Sequence, residues 1–231
     1  MSNPEPTPEP EFPDPERRNP LADGCDRCPG LVEAREEICW GVGPTDADLV
    51  VVGEAPAFGH PDAERWRGGN RTGMAYSGRR SGRKIRTMMA DLGREGVYYT
   101  NAVKCYPSAA YDPDGAATGD AHDENREPTP EERANCRPYL LREVAQVEPD
   151  CVVATGKHAT QSLLSVEGRA VDGFLDLVLD VQPCPTVGAP VLPLLHPSYQ
   201  EVWIGRLGHD RESYLAAVDE ALADAGVPGD G

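Results

Sequence analysis

Three short apolar runs constrain this chain most. Residues 48–53 read Asp-Leu-Val-Val-Val-Gly, residues 150–155 read Asp-Cys-Val-Val-Ala-Thr before Gly156, and residues 191–195 read Val-Leu-Pro-Leu-Leu. None alternates polar with apolar residues, so each must be covered on both faces, the condition of a strand inside a parallel sheet. Residues 97–103 form a fourth β-rich run. Between the runs lie helical patterns at 31–38, 81–92 with Ser81 as expected N-cap, 157–164, and 209–225 with Gly226 as stop. The strongest helix start is Thr129-Pro130-Glu131-Glu132, with Thr as N-cap, Pro at the first position and Glu at the third; that helix is expected to run to about residue 146. The alternation predicts an α/β fold of three layers, α/β/α, around a mainly parallel four-stranded sheet.

In such a sheet ligands bind beyond the carboxyl ends of the strands. Glu54, Asn101 and His196 each stand at or just past the end of an expected strand. If the strands are parallel, these three polar side chains meet at one place. The residues alone do not settle what each does there. Glu54 could hold its turn, Asn101 could cap a strand–loop junction, and Tyr76 could be a core residue.

Charge narrows the class of partner. The chain has 39 Asp and Glu against 22 Lys and Arg, a formal net charge of −17, and only Lys84, Lys104 and Lys157 among its basic residues are lysines. Acidic excess with scarce Lys suits a halophile, with a haloarchaeal source expected; in molar salt the screening length is about 3 Å and self-repulsion is weak. One segment runs against the rest. Residues 65–86 hold Arg65, Arg67, Arg71, Arg79, Arg80, Arg83, Lys84 and Arg86 and no acid. This reads as a phosphate-gripping patch, or as a solvated basic loop. Residues 1–20, rich in Pro and Glu, are expected to be a disordered tail, and residues 107–130 an acidic surface insertion. No apolar run reaches membrane-spanning length and the N-terminus lacks a signal pattern, so a cytoplasmic protein is expected.

Seven cysteines without a secretion signal argue for metal or redox chemistry rather than disulfides. Cys25 and Cys28 form a Cys-x2-Cys pair, and Cys105 and Cys136 lie far downstream. Four thiolates suit an iron–sulfur cluster or zinc. Of Cys39, Cys151 and Cys184, Cys39 is the one most able to displace a member of that quartet.

Four segments then point one way: Gly53-Glu54-Ala55-Pro56-Ala57, Asn70-Arg71-Thr72-Gly73 with Tyr76-Ser77-Gly78, Thr100-Asn101-Ala102-Val103-Lys104-Cys105, and Leu195-His196-Pro197-Ser198-Tyr199. In order and spacing they resemble the iron–sulfur uracil-DNA glycosylases, families four and five of that superfamily, over about residues 24–225. The match is mixed. Glu54 is similar to family four, whereas Ala57 and residues 70–73 look like family five; family five's Asp residues after the aromatic are replaced here by Arg79 and Arg83. The resemblance implies a glycosylase domain over 21–227 that flips uracil out of DNA and hydrolyses its N-glycosidic bond, acting as a monomer, with a sliding clamp an open question. It implies a [4Fe-4S] cluster on Cys25, Cys28, Cys105 and Cys136. It implies that Tyr76 stacks on the base, Asn101 reads its edge, Ala55 gives backbone contacts, and His196 donates to the leaving O2. Glu54 would handle water or the cationic sugar. Arg71, Arg79, Arg80 and Ser198 become candidate DNA contacts. Three other readings stay open: excision of hypoxanthine or xanthine, a catalytically silent nucleic-acid-binding module, and a zinc protein.

Overall fold

The computed structural model describes residues 9–111 and 121–227 of the chain. In chain order the regular elements are β1 (Arg18–Asn19), α1 (Pro29–Ala34), β2 (Gly41–Val42), β3 (Leu49–Gly53), α2 (Gly69–Thr72), α3 (Ser81–Asp91), β4 (Tyr98–Asn101), α4 (Pro130–Val147), β5 (Cys151–Thr155), α5 (Lys157–Leu164), α6 (Phe174–Leu177), β6 (Val191–Leu194), α7 (Gln200–Trp203) and α8 (Arg211–Asp224). The sheet runs β1-β2-β4-β3-β5-β6. Its four main strands, β4-β3-β5-β6, are parallel, as the apolar runs require. The sheet has six strands rather than four because β1 and β2, two residues each, add antiparallel at the β4 edge. Neither is long enough to leave a periodic signature.

Every residue of β3 is buried, and its side chains alternate between two cores. Leu49 and Val51 pack with Ile85, Met89, Tyr214 and Leu222 beneath α3 and α8. Val50 and Val52 pack with Leu140, Val144, Leu163 and Leu164 beneath α4 and α5. At roughly 1.5–3 kcal/mol for each fully buried aliphatic side chain, two-sided burial is what holds so short a strand central. Among the described residues no helix is long and apolar enough to cross a membrane.

Helix α4 starts as expected. Thr129 Oγ1 accepts from Glu132 N at 3.1 Å, and Glu132 Oε2 accepts from Thr129 N at 2.8 Å. The same carboxylate takes both terminal nitrogens of Arg126. Thr129→Ala should therefore cost about 1 kcal/mol, seen as a fall in Tm of roughly 2–4 °C. An unchanged melting curve would mean that the cap is redundant with the Arg126 clamp. At α3 the expected cap is absent: the Ser81 hydroxyl is engaged 3.1 Å from that of Ser198 instead of turning back on its own helix. Helix α8 is capped by Asp210, which accepts from Ser213 N at 2.8 Å.

The expectation of a disordered tail over 1–20 is corrected for its second half; residues 1–8 lie outside the described residues. Phe12 meets the Trp66 ring edge-to-face at 5.1 Å, Arg18 donates to the carbonyls of Gly73 and Ile38 at 2.9 Å, and Asn19 donates to the Tyr98 hydroxyl at 2.9 Å. The segment has little to bury by itself, and its order comes from partners 20 to 79 positions away. The insertion 107–130 likewise has tethered flanks. Ser108 bridges to Asn125, and Tyr106 donates to the carbonyls of His122 and Glu124. Its residues 112–120 lie outside the described residues.

Candidate active site

The carboxyl ends of β3, β4, β5 and β6 line up on one edge of the sheet, with Gly53 opposite Asn101 and Thr155 opposite Leu194. Beyond that edge is a cleft of about 1030 Å³. Glu54, Ala55, Tyr76, Asn101 and His196 all line it, so the polar strand ends do converge. The backbone tightens the convergence. A Cβ at Gly53 would sit 2.5 Å from Asn101 Oδ1 and 2.8 Å from the Tyr76 hydroxyl, so only glycine leaves room for both.

Asn101 is 4% exposed and sits at the end of a fully buried strand. Its Nδ2 donates to Cys39 Sγ at 3.5 Å. Burial pushes the Cys39 thiol up to about 12, so it is a neutral partner at pH 7. Tyr76 is both a core residue and a lining residue: its hydroxyl is hydrogen-bonded to Thr155 and its ring meets Tyr99 at 5.8 Å. Its φ of +50° is a left-handed conformation uncommon for a bulky side chain, and Arg86 Nε holds the turn by donating to the Tyr76 carbonyl at 3.1 Å.

His196 is half-buried, with Nδ1 accepting from Ser198 N at 3.2 Å. In the neutral ring that leaves the proton on Nε2. Burial lowers its pKa from the ordinary histidine value, and the neighbouring His158 pushes the same way. Burial moves the half-buried Glu54 carboxyl upward; His158 opposes that rise, Glu127 adds to it and Arg133 opposes it. Burial thus favours the neutral form of both groups, and perturbed titratable groups gathered in a cleft are characteristic of functional sites.

His158 belongs to no motif in the sequence, yet it stands at the site. It lies in α5, three residues past the end of β5, and its Nε2 is 3.1 Å from Glu127 Oε1 of the insertion. Both line the cleft. The signal was available: the strand-end rule that selects Glu54, Asn101 and His196 also applies to β5.

The basic segment divides. Arg79 and Arg80 are exposed on the cleft's rim, as are Ser198 and Tyr199 across from them. Arg71 is not among the lining residues: it pairs with Glu36 at 2.9 Å and lies 4.6 Å over the Phe58 ring. Arg83 pairs with Glu9, Lys84 with Glu201 at 2.7 Å, and Arg86 lies 3.9 Å over Tyr99. Acids distant in sequence and aromatic faces thus engage Arg71, Arg83, Lys84 and Arg86, and Arg79 and Arg80 are left on the rim.

A family model described as the uracil DNA glycosylase superfamily matches residues 40–223. The chain belongs to the uracil-DNA glycosylase superfamily. The type-4 uracil-DNA glycosylase of Thermotoga maritima is 33% identical over 180 residues, covering 76% of this chain and 77% of that protein. The type-5 uracil-DNA glycosylase of Pyrobaculum aerophilum is 30% identical over 232 residues, 87% and 89% of the two chains. The type-5 enzyme of Thermus thermophilus is 27% identical over 226 residues. Similarity to both types agrees with the mixed motifs.

Three of the seven cysteines lie in a separate small cluster. Cys105 and Cys136, 5% and 6% exposed, pack with Leu31 and Val103, and Cys28 packs against them. Nitrogen donors already face the sulfurs: Arg35 to Cys105 at 3.4 Å, Lys104 N to Cys136 at 3.4 Å and Asn135 to Cys28 at 3.5 Å. Burial, with Cys105 and Cys28 adding to it and Lys104 opposing it, pushes the Cys136 thiol up to about 12. Cys25 and Cys28 act likewise on Cys105. Cys105 is thus within electrostatic reach of Cys25, Cys28 and Cys136, and three of the four sulfurs face an N–H donor, a set that fits thiolates bound to a metal centre. Among the described residues no three or more His, Cys, Asp or Glu are gathered tightly enough for a single ion. Cys39, Cys151 and Cys184 pack in the two large cores instead.

Proposed function

We propose that this protein is a uracil-DNA glycosylase that takes uracil out of the base stack into the cleft and hydrolyses its N1–C1′ bond. The observation that carries the reading is the meeting of Glu54, Tyr76, Asn101 and His196 in one cleft of a superfamily member. Tyr76 offers its ring to the flipped base. The Asn101 amide donates to a ring carbonyl and accepts from N3–H; cytosine presents the reversed pattern and is refused. As the bond breaks, its electron pair leaves with uracil, and the negative charge gathering on O2 is met by Nε2–H of neutral His196. Water adds at C1′ and its proton passes to the uracil anion or to solvent; Glu54 orients that water, or steadies the cationic sugar until it adds. The backbone beside Ala55 borders the base, while Arg79, Arg80 and Ser198 face the DNA strand.

Cys25, Cys28, Cys105 and Cys136 are the residues that would hold a [4Fe-4S] cluster. When bound, the cluster supplies a covalent tie between the N-terminal segment, the loop after β4 and α4. The four-thiol donor set and the family-four and family-five resemblance support that assignment.

The test is release of uracil from a labelled U·G oligonucleotide in molar KCl, the salt that the acidic composition suits. Abasic product from uracil but not from inosine is expected. Product from inosine alone would move the specificity to deaminated purines, and binding without product would make the protein a silent module.

A further inference from the structure

Lys104 is a buried cation that the proposed chemistry does not use. Its side chain is 1% exposed and that of its partner Glu143, from the middle of α4, is 0% exposed. Lys104 Nζ donates to Glu143 Oε2 at 2.5 Å, to Thr100 Oγ1 at 2.6 Å and to the main-chain carbonyl of Asn101 at 2.6 Å. All three ammonium protons are therefore placed. Glu143 is equally committed: Oε2 also accepts from Thr100 Oγ1 at 2.5 Å, and Oε1 accepts from Gly41 N at 2.9 Å.

An ion pair of this kind is a poor way to gain stability. Replacing a buried pair by neutral residues of similar volume is often neutral or stabilising, whereas its directional bonds can fix a geometry that apolar packing leaves loose. What these bonds fix is the last residue of β4. The Lys104 backbone adds to the hold: its carbonyl accepts from Cys39 N at 2.7 Å, and Cys39 Sγ in turn accepts from Asn101 Nδ2 at 3.5 Å. Asn101 is thus gripped at its carbonyl by Lys104 and at its amide by a residue that Lys104 itself holds.

We infer that Lys104 and Glu143 are a positioning pair for Asn101, setting where its amide meets the base edge. The inference rests on the base-reading role given to Asn101 above. A displacement of about 1 Å in a group that meets the reacting substrate can cost on the order of 100-fold in rate, so a pair that never touches uracil can govern its excision.

The test is a double-mutant cycle in the full-length protein. Lys104→Met with Glu143→Gln removes both charges and keeps an acceptor for Gly41 N. Single-turnover excision of uracil should fall by roughly 10- to 100-fold, free uracil should inhibit more weakly, and Tm should stay within a few degrees. In an Asn101→Ala background the same pair of changes should alter the rate by no more than about twofold, because coupled residues lose their separate effects. If the double variant does not fold, Thr100→Val, which removes the hydroxyl both ions share, carries the same cycle. An unchanged rate in the folded variant, or a loss that persists in full without the Asn101 amide, overturns the inference alone. An Asn101→Ala protein as fast as the parent overturns the base-reading role and the inference with it.

Discussion

His196→Ala is expected to slow uracil release by roughly 10²–10³-fold, the usual effect of removing one donor aimed at developing negative charge. The fold should survive, since the ring is half-buried at the cleft wall and, among the described residues, is held by a hydrogen bond accepted from Ser198 N. Single-turnover assays at saturating enzyme read the chemical step directly. The pH profile carries a second check. Burial and the charge of His158 lower the His196 pKa, so its neutral form persists below pH 6.5 and the plateau of activity should extend into mildly acidic buffer. His158 also holds down the Glu54 carboxyl, against burial and Glu127 and alongside Arg133. Removing it in His158→Ala lets both groups rise, so the acid limb should move to higher pH whichever of the two controls it. A limb that stays fixed, or a His196→Ala enzyme of undiminished rate, would remove these histidines from the mechanism.

If the proposed cluster assignment holds, Cys136→Ser should remove the brown colour of the cluster and much of the protein's stability. Cys136 is 6% exposed, on the face of α4 that meets Cys28, Leu31, Val103 and Cys105. A buried Ser in its place would fail as a soft ligand and leave the segment around Cys25 and Cys28 untied. Loss of a structural metal centre belongs among the few single changes worth about 4 kcal/mol or more. At about 2–4 °C per kcal/mol for a chain of this size, Tm should fall by roughly 8–16 °C. Limited proteolysis should open between residues 21 and 38 before the sheet is attacked. A brown, equally stable Cys136→Ser protein would refute the ligand assignment, and a colourless parent with four thiols bound to zinc would replace the cluster.

Much of the fold was legible because burial writes itself locally. The unalternating runs over β3, β5 and β6 require cover on both faces, and the Thr129–Glu132 cap marks the start of α4 within one turn of chain. Asn101 and His196 were legible for the same reason: a polar residue directly after a buried strand has few places to go. The boundaries of β4 were less so. Its apolar character continues to Val103, yet the ladder ends at Asn101, where the chain turns toward Cys105 and Cys136.

The parallel sheet, the edge beyond which the cleft opens, and three polar residues at that edge, Glu54, Asn101 and His196, can be read along the chain, since each follows from which neighbouring residues can tolerate water. How charges pair was settled by packing alone. Arg71 goes to Glu36 and Arg83 to Glu9; His158 meets Glu127; and Lys104 finds Glu143 across 39 positions. Residues 9–20 join the fold for the same reason, through Phe12 on Trp66 and Arg18 on two distant carbonyls. Apolar burial repeats with the period of the backbone and can be read along the chain. An ion pair or a hydrogen bond depends on two side chains a few ångströms apart in space, and that separation is known only once the layers have packed.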